Sequence, residues 1–166
     1  DDVVNLYDVN AQAAAAPVRV GDELYAFLRW CKDTAYPATD GATNIAAGAV
    51  LRLWHDVRES DSPAPPAADA IAEALQHINI ENLILDDAAQ TVCFADPDMT
   101  LDVGAVGKGY AVEQAARAAQ ARGFTSALLN VGGNLRAIGT KPGGKPWTAG
   151  VENPWADDPA YIQAVE

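Results

Sequence analysis

The stretch Asp102–Gly123, DVGAVGKGYAVEQAARAAQARG, decides how the rest of the chain is read. It leaves a short apolar run, Met99–Val103, that predicts a strand, and it enters residues 105–122, whose composition predicts a helix. Gly123 then serves as the helix stop. The glycines at 104, 107 and 109 let a ligand approach the backbone closely. A helix N-terminus at such a bend presents N–H groups and a positive dipole end, which suits a phosphate. Lys108 adds a cation, and Asp102 adds an acceptor or a metal partner. The order G-x-x-G-x-G is not the dinucleotide fingerprint G-x-G-x-x-G, and Gly109 stands where a P-loop needs Ser or Thr. Spacing alone leaves two readings open, a phosphate cradle and a strand–turn–helix junction that needs glycine for packing.

Downstream, Ser126–Val131 predicts a strand that runs into Gly132-Gly133. Paired glycines between strands mark either a plain hairpin bulge or a place where a ligand crosses the backbone. Residues 134–139 are expected to pair with 147–151 across the loop 141–146, and 161–165 reads as one more strand. Trp147 fits a core aromatic at a strand start better than a ligand platform.

Upstream, residues 1–20 read as a lead-in: a polar stretch, an alanine run and Pro17-Val-Arg-Val20. Asp22 can cap the next helix, where Leu24, Phe27, Leu28 and Cys31 share one face. Thr39-Asp40-Gly41 is turn chemistry. Residues 44–57 can be helical, with Val50, Leu53, Trp54 and Val57 on one stripe and His55 a structural neighbour of Trp54. Prolines at 63, 65 and 66 make residues 60–66 a linker or surface loop. Residues 67–78 read as another helix, and 82–86 with 90–95 as a hairpin turning at 87–89. Helices first, then antiparallel hairpins around one more helix, give an α+β chain with an antiparallel or mixed sheet and packed helices.

Composition sets the outer limits. A chain of 166 residues, 49% hydrophobic and 20% charged, is of ordinary globular make-up and single-domain length. No apolar run approaches the ~20 residues of a membrane helix. The net charge is −12, and residues 1–98 carry all of it, with 5 Lys and Arg against 17 Asp and Glu. Nucleic acid is therefore an unsuitable partner, since phosphate neutralisation needs a basic face. An anionic ligand would sit where Lys108, Arg136, Lys141 and Lys145 gather. Cys31 and Cys93 read as small buried hydrophobes rather than a disulfide, and no zinc spacing exists.

Taken in order, Thr39-Asp40-Gly41-Ala42, Leu53-Trp54, Asp102-x-Gly-Ala-Val-Gly-Lys108-Gly-Tyr110-Ala-Val, Asn130-Val-Gly-Gly-Asn134-Leu-Arg-Ala-x-Gly139 and Pro146-Trp147-x-x-Gly150-Val-x-x-Pro154 resemble the ApbE-like FAD:protein FMN transferases. The resemblance runs along essentially the whole chain, so that residues 1–166 are expected to form a single domain, incomplete at both ends relative to the family. It implies a T-fold-like ApbE architecture. It also implies FAD as substrate, Mg2+ as metal, and transfer of FMN to a Thr or Ser hydroxyl of a client flavoprotein with release of AMP. Some members instead hydrolyse FAD to FMN and AMP, and a further alternative is a non-catalytic flavin- or nucleotide-binding module. Residue by residue, the resemblance gives Ala42, Thr43, Asn44, Asp102 and Lys108 contacts with FAD, places Gly132 and Gly133 in the pocket lining, and gives the Ala105 carbonyl to the metal. It assigns no catalytic residue. Where the family has Phe-Asp-Pro-Thr, this chain has Thr43-Asn44-Ile45-Ala46, without the aromatic, the carboxylate and the hydroxyl. Exported or lipid-anchored family members make a periplasmic or cell-envelope address the expectation, ahead of a cytoplasmic one.

Overall fold

The computed structural model describes residues 3–61, 64–155 and 161–165. The chain divides into two compact units, Asp1–Val103 and Gly104–Glu166, and crosses between them inside the glycine-rich stretch. Ser62 and Pro63 of the expected linker lie outside the described residues.

The first unit begins with a helix that the sequence reading misses, α1 (Leu6–Gln12). The Asn5 side chain accepts from the N–H groups of Tyr7 and Asp8, and the Asp8 carboxylate accepts from the Asn5 N–H. This capping box satisfies donors that would otherwise be orphaned at the helix start. After β1 (Val18–Arg19) comes α2 (Asp22–Trp30), which continues through a π-helical turn, Cys31–Ala35, into α3 (Tyr36–Ala38). Asp22 does not cap α2: the cap position is Gly21, and the Asp22 carboxylate accepts instead from Gln90 Nε2 at 2.5 Å. Tyr25, Phe27, Leu28, Cys31 and Ala35 form the buried face of this helical run. Arg29 reaches Asp87 at 2.6 Å and the Tyr25 hydroxyl at 3.1 Å, tying α2 to the strand turn.

Next come α4 (Gly48–Glu59), shorter at its start than residues 44–57 suggest, and α5 (Ala68–Ala74), which tightens into a 3-10 turn at Leu75–His77. The strands β2 (Leu83–Asp86) and β3 (Thr91–Phe94) form the expected hairpin. Its turn is built by the Asp86 carboxylate, which accepts from the N–H groups of Ala88 and Ala89. The sheet order is β1-β3-β2, antiparallel throughout, with Val18 opposite Val92 and Leu83 opposite Phe94. Leu83 and Val92 of this sheet and Leu28 of α2 are all completely buried.

Residues 99–103 are not the expected strand. Thr100 makes a single parallel bridge with Ala47. The segment is extended, but its backbone groups go to a loop and a side chain instead of a ladder. The Asn10 amide holds both the N–H and the C=O of Leu101, at 2.8 and 2.9 Å. Gly48 N–H donates to the Thr100 carbonyl, and Asp102 N–H to the Ile45 carbonyl.

The second unit packs α6 (Gly107–Ala121) on the hairpin of β4 (Ala127–Val131) and β5 (Asn134–Ile138). Val112, Ala116 and Ile138 are buried in this layer. Gly123 stops the helix as expected, at φ +88, and Phe124 N–H returns to the Ala119 carbonyl. The expected pairing of 134–139 with 147–151 is overturned. β5 pairs with β4, and β6 (Ala149–Glu152) pairs with β7 (Tyr161–Val165). The reason is local. Gly132 and Gly133 adopt φ +55 and +87, the two-residue turn whose twist matches a hairpin. The loop after β5 folds back on itself, with Lys141 N–H on the Lys145 carbonyl at 2.8 Å. It delivers the Trp147 indole N–H to the Ile138 carbonyl at 3.3 Å, in place of a strand ladder.

Candidate functional site

In the first unit, Asp102 lines a concave cavity of about 510 Å3. Tyr7 and Asn10 of α1, Arg52 and His55 of α4, and Thr100 complete much of its wall. The cavity follows from the contacts just described. Asn10 and the 45–48 backbone fix residues 100–102 alongside α4, and the polar stripe Arg52, His55, Asp56, Glu59 of that helix faces the gap. His55 Nε2 lies 3.9 Å from Asp102 Oδ2. His55 is thus an exposed wall residue beside a carboxylate, not the satisfied structural residue that the sequence suggests. The signal was present as the i, i+3, i+4, i+7 spacing of those four polar residues.

The Ala42–Asn44 stretch belongs to the same unit, and the Asp102 N–H to Ile45 carbonyl bond, 2.8 Å, ties Asp102 to its downstream end. Asp40 takes φ +48 and Gly41 φ +82, so the Asp-Gly turn is as read. Ala42 is exposed. Thr43 N–H donates to the Thr39 hydroxyl at 2.9 Å. The Asn44 amide is occupied within the unit: Nδ2 donates to the Ile78 carbonyl at 2.8 Å, and Oδ1 accepts from Ala46 N–H at 2.9 Å.

The second unit brings Lys108, Gly132 and Gly133 together. Lys108 is the second residue of α6 and is exposed. A Cβ on Gly132 would lie 3.0 Å from Lys108 Cδ, so the lysine stem crosses the hairpin turn where only a hydrogen occupies that space. No side chain caps α6 at Val106, and its first turn holds no acidic residue. The first turn of this 15-residue helix therefore carries Lys108 and no acidic residue, a setting that favours an anion. Ala105 sits in the exposed turn just before the helix.

Of the other cations expected near Lys108, Arg136 and Lys141 have partners within the second unit. Arg136 Nε lies 2.6 Å from Glu113 Oε2, and Glu113 also holds Arg117 at 2.9 Å. The hydrogen bonds from Arg117 and then Arg136 hold the Glu113 carboxyl below its ordinary range. Lys141 lies over the Trp147 ring at 5.9 Å. Lys108 is the cation placed at the helix start.

Side chains able to hold a metal converge elsewhere. Among the described residues, His77, Asp96 and Asp98 form one such group, and it does not include Asp102. No helix among the described residues is long and apolar enough to cross a membrane.

A model of the ApbE family matches residues 1–166. A FAD:protein FMN transferase of Klebsiella pneumoniae (strain 342) is 32% identical over 155 residues, covering 93% of this chain and 46% of the relative. One of Treponema pallidum (strain Nichols) is 35% identical, covering 95% and 47%. The crystal structure of the ApbE protein of Thermotoga maritima superimposes with a TM-score of 0.86 at 28% identity, over 96% of this chain and 50% of that one. The apo flavinyl transferase ApbE of Pseudomonas stutzeri gives 0.79 at 26% identity, over 97% and 48%. The chain thus spans about half the length of these relatives.

Proposed function

Because the chain belongs to the ApbE family, we propose that it supplies FAD-binding residues to a FAD:protein FMN transferase. The observation that carries this reading is the uncapped start of α6, with Lys108 laid across the Gly132-Gly133 turn. Backbone N–H groups and one cation in that position suit the diphosphate of FAD. In the reaction, a Thr or Ser hydroxyl of the client flavoprotein attacks the FMN-side phosphorus. A phosphoester bond forms, the bridging P–O bond breaks, the hydroxyl proton is lost, and AMP leaves with the bridging oxygen. Phosphoryl transfer of this kind depends on positioning and on stabilising phosphate charge. Lys108 and the α6 N-terminus are assigned that role. Asp102, Ala42 and Thr43 of the first unit are assigned further contacts with FAD, as the resemblance implies.

Mg2+ enters from the resemblance. Ala105 offers it one backbone carbonyl, and the three-ligand group of the first unit stands apart from Asp102. Among the described residues, no group of three His, Cys, Asp or Glu ligand atoms includes Asp102. A periplasmic or cell-envelope location is part of the same proposal, tested by cell fractionation.

One observation favours a second reading, a flavin-binding module without transferase activity. The 43–46 stretch lacks the family's aromatic, carboxylate and hydroxyl, and the amide of Asn44 is engaged with Ile78 and Ala46. A single assay separates the readings, using the chain with FAD, Mg2+ and a client-derived acceptor peptide. AMP release with a flavin-labelled peptide supports transfer. AMP with free FMN indicates hydrolysis, and bound, intact FAD indicates binding alone. Lys108→Ala is expected to weaken FAD binding about tenfold or more, the worth of one charge-assisted contact. An unchanged dissociation constant removes Lys108 from the site.

A further inference from the structure

We propose that His77, Asp96 and Asp98 form a binding site for a borderline divalent transition ion, with Zn2+ as its probe. The inference is independent of the flavin reading.

His77 closes the 3-10 turn that follows α5, while Asp96 and Asp98 sit in the loop after β3, so two separate segments of the first unit converge. One ligand atom from each residue lies within 4.8 Å of the other two. His77 Nδ1 is 3.1 and 3.0 Å from the two carboxylate oxygens of Asp96. An ion with bonds of about 2.1 Å to nitrogen and oxygen spans a 3 Å donor separation at an angle of roughly 90°, which needs little rearrangement.

The imidazole distinguishes this group from an acidic patch. The His77 side chain is 21% exposed and that of Asp96 15%, so both are largely fixed by packing before an ion arrives. Glu73 Oε1 lies 3.9 Å from His77 Nε2, on the far side of the ring, within ion-pair range but beyond a hydrogen bond. Asp96 Oδ1 also accepts the Asp98 N–H at 3.0 Å, which holds the two acidic residues side by side. Asp98 is exposed and leaves the outer face open to entry and to water ligands. One nitrogen and two carboxylates suit Zn2+, Mn2+ or Ni2+, whereas Mg2+ prefers oxygen alone.

The test is calorimetric titration of the full chain with Zn2+, and separately with Mg2+. Two variants accompany it. His77→Asn can keep an amide N–H near the Nδ1 position for Asp96 while replacing the imidazole nitrogen with a weaker amide ligand. Asp98→Asn leaves the His77–Asp96 bond and the Asp98 backbone bond in place. Circular dichroism checks that both remain folded. The expected result is one Zn2+ site weakened at least about tenfold in each variant, since even outer-shell changes cost that much. FAD binding is expected to be unchanged in both. The proposal is overturned if the parent chain does not bind Zn2+, if either folded variant binds it as tightly as the parent, or if Mg2+ competes equally.

Discussion

Gly48 is fixed by a neighbour 52 residues away in the chain. A Cβ there would stand 2.5 Å from the Thr100 carbonyl oxygen and 2.6 Å from its hydroxyl, closer than side chains pack. Gly48→Ala is expected to destabilise the first unit by about 1–3 kcal/mol, the usual cost of overpacking, read as a lower urea midpoint. Glu113 predicts a pH effect. Its carboxyl is held low by Arg117 and Arg136 in the folded chain. Its contribution is therefore full above the ordinary glutamate range and is lost as pH falls through the depressed folded value. Glu113→Gln is expected to flatten the acid limb of melting temperature against pH, and a limb as steep as the parent's contradicts the assignment. At this scale the glycine-rich motif was legible, because spacing along one segment carries it. The engagement of Asn44 was not, since its partner is the carbonyl of Ile78, and no local pattern announces a bond across 34 residues.

The hairpin of β4 and β5 shows how one turn decides an element's partner. From apolar alternation alone, 134–139 could pair on either side. The positive φ angles at Gly132 and Gly133 close it onto β4. Gly132→Ala is expected to cost about 1 kcal/mol or more in stability, because alanine resists a positive φ. It should also displace the Lys108 stem and weaken FAD binding in parallel with Lys108→Ala. A variant that loses stability but keeps its affinity for FAD would separate the turn from the site. Helix α6 was legible from composition and its glycine stop. Helix α1 was not, since its seven residues are too few to show a period and its start depends on the Asn5–Asp8 capping box. The 99–103 segment misled in the opposite way. It has strand composition, but its hydrogen bonds go to Asn10, Ile45 and Gly48.

Across the whole molecule, composition and motif order gave the α+β class and the family, while the division at Val103 and Gly104 lay hidden inside a motif that reads as continuous. The charge imbalance is divided almost as the units are, with the negative excess in the first. That first unit also contains a residue that follows its integrity. Cys31 lies at the start of the π-helical turn, 1% exposed, and burial pushes its thiol up to about 11. A thiol so protonated and shielded reacts with an alkylating agent such as iodoacetamide only when the surrounding helices part. Cys93, half-buried on β3, should label first. The lag before the second adduct, followed by mass spectrometry, would then time the opening of the helical layer, and Gly48→Ala should shorten it. The chain thus carries an internal stopwatch, readable without an attached dye.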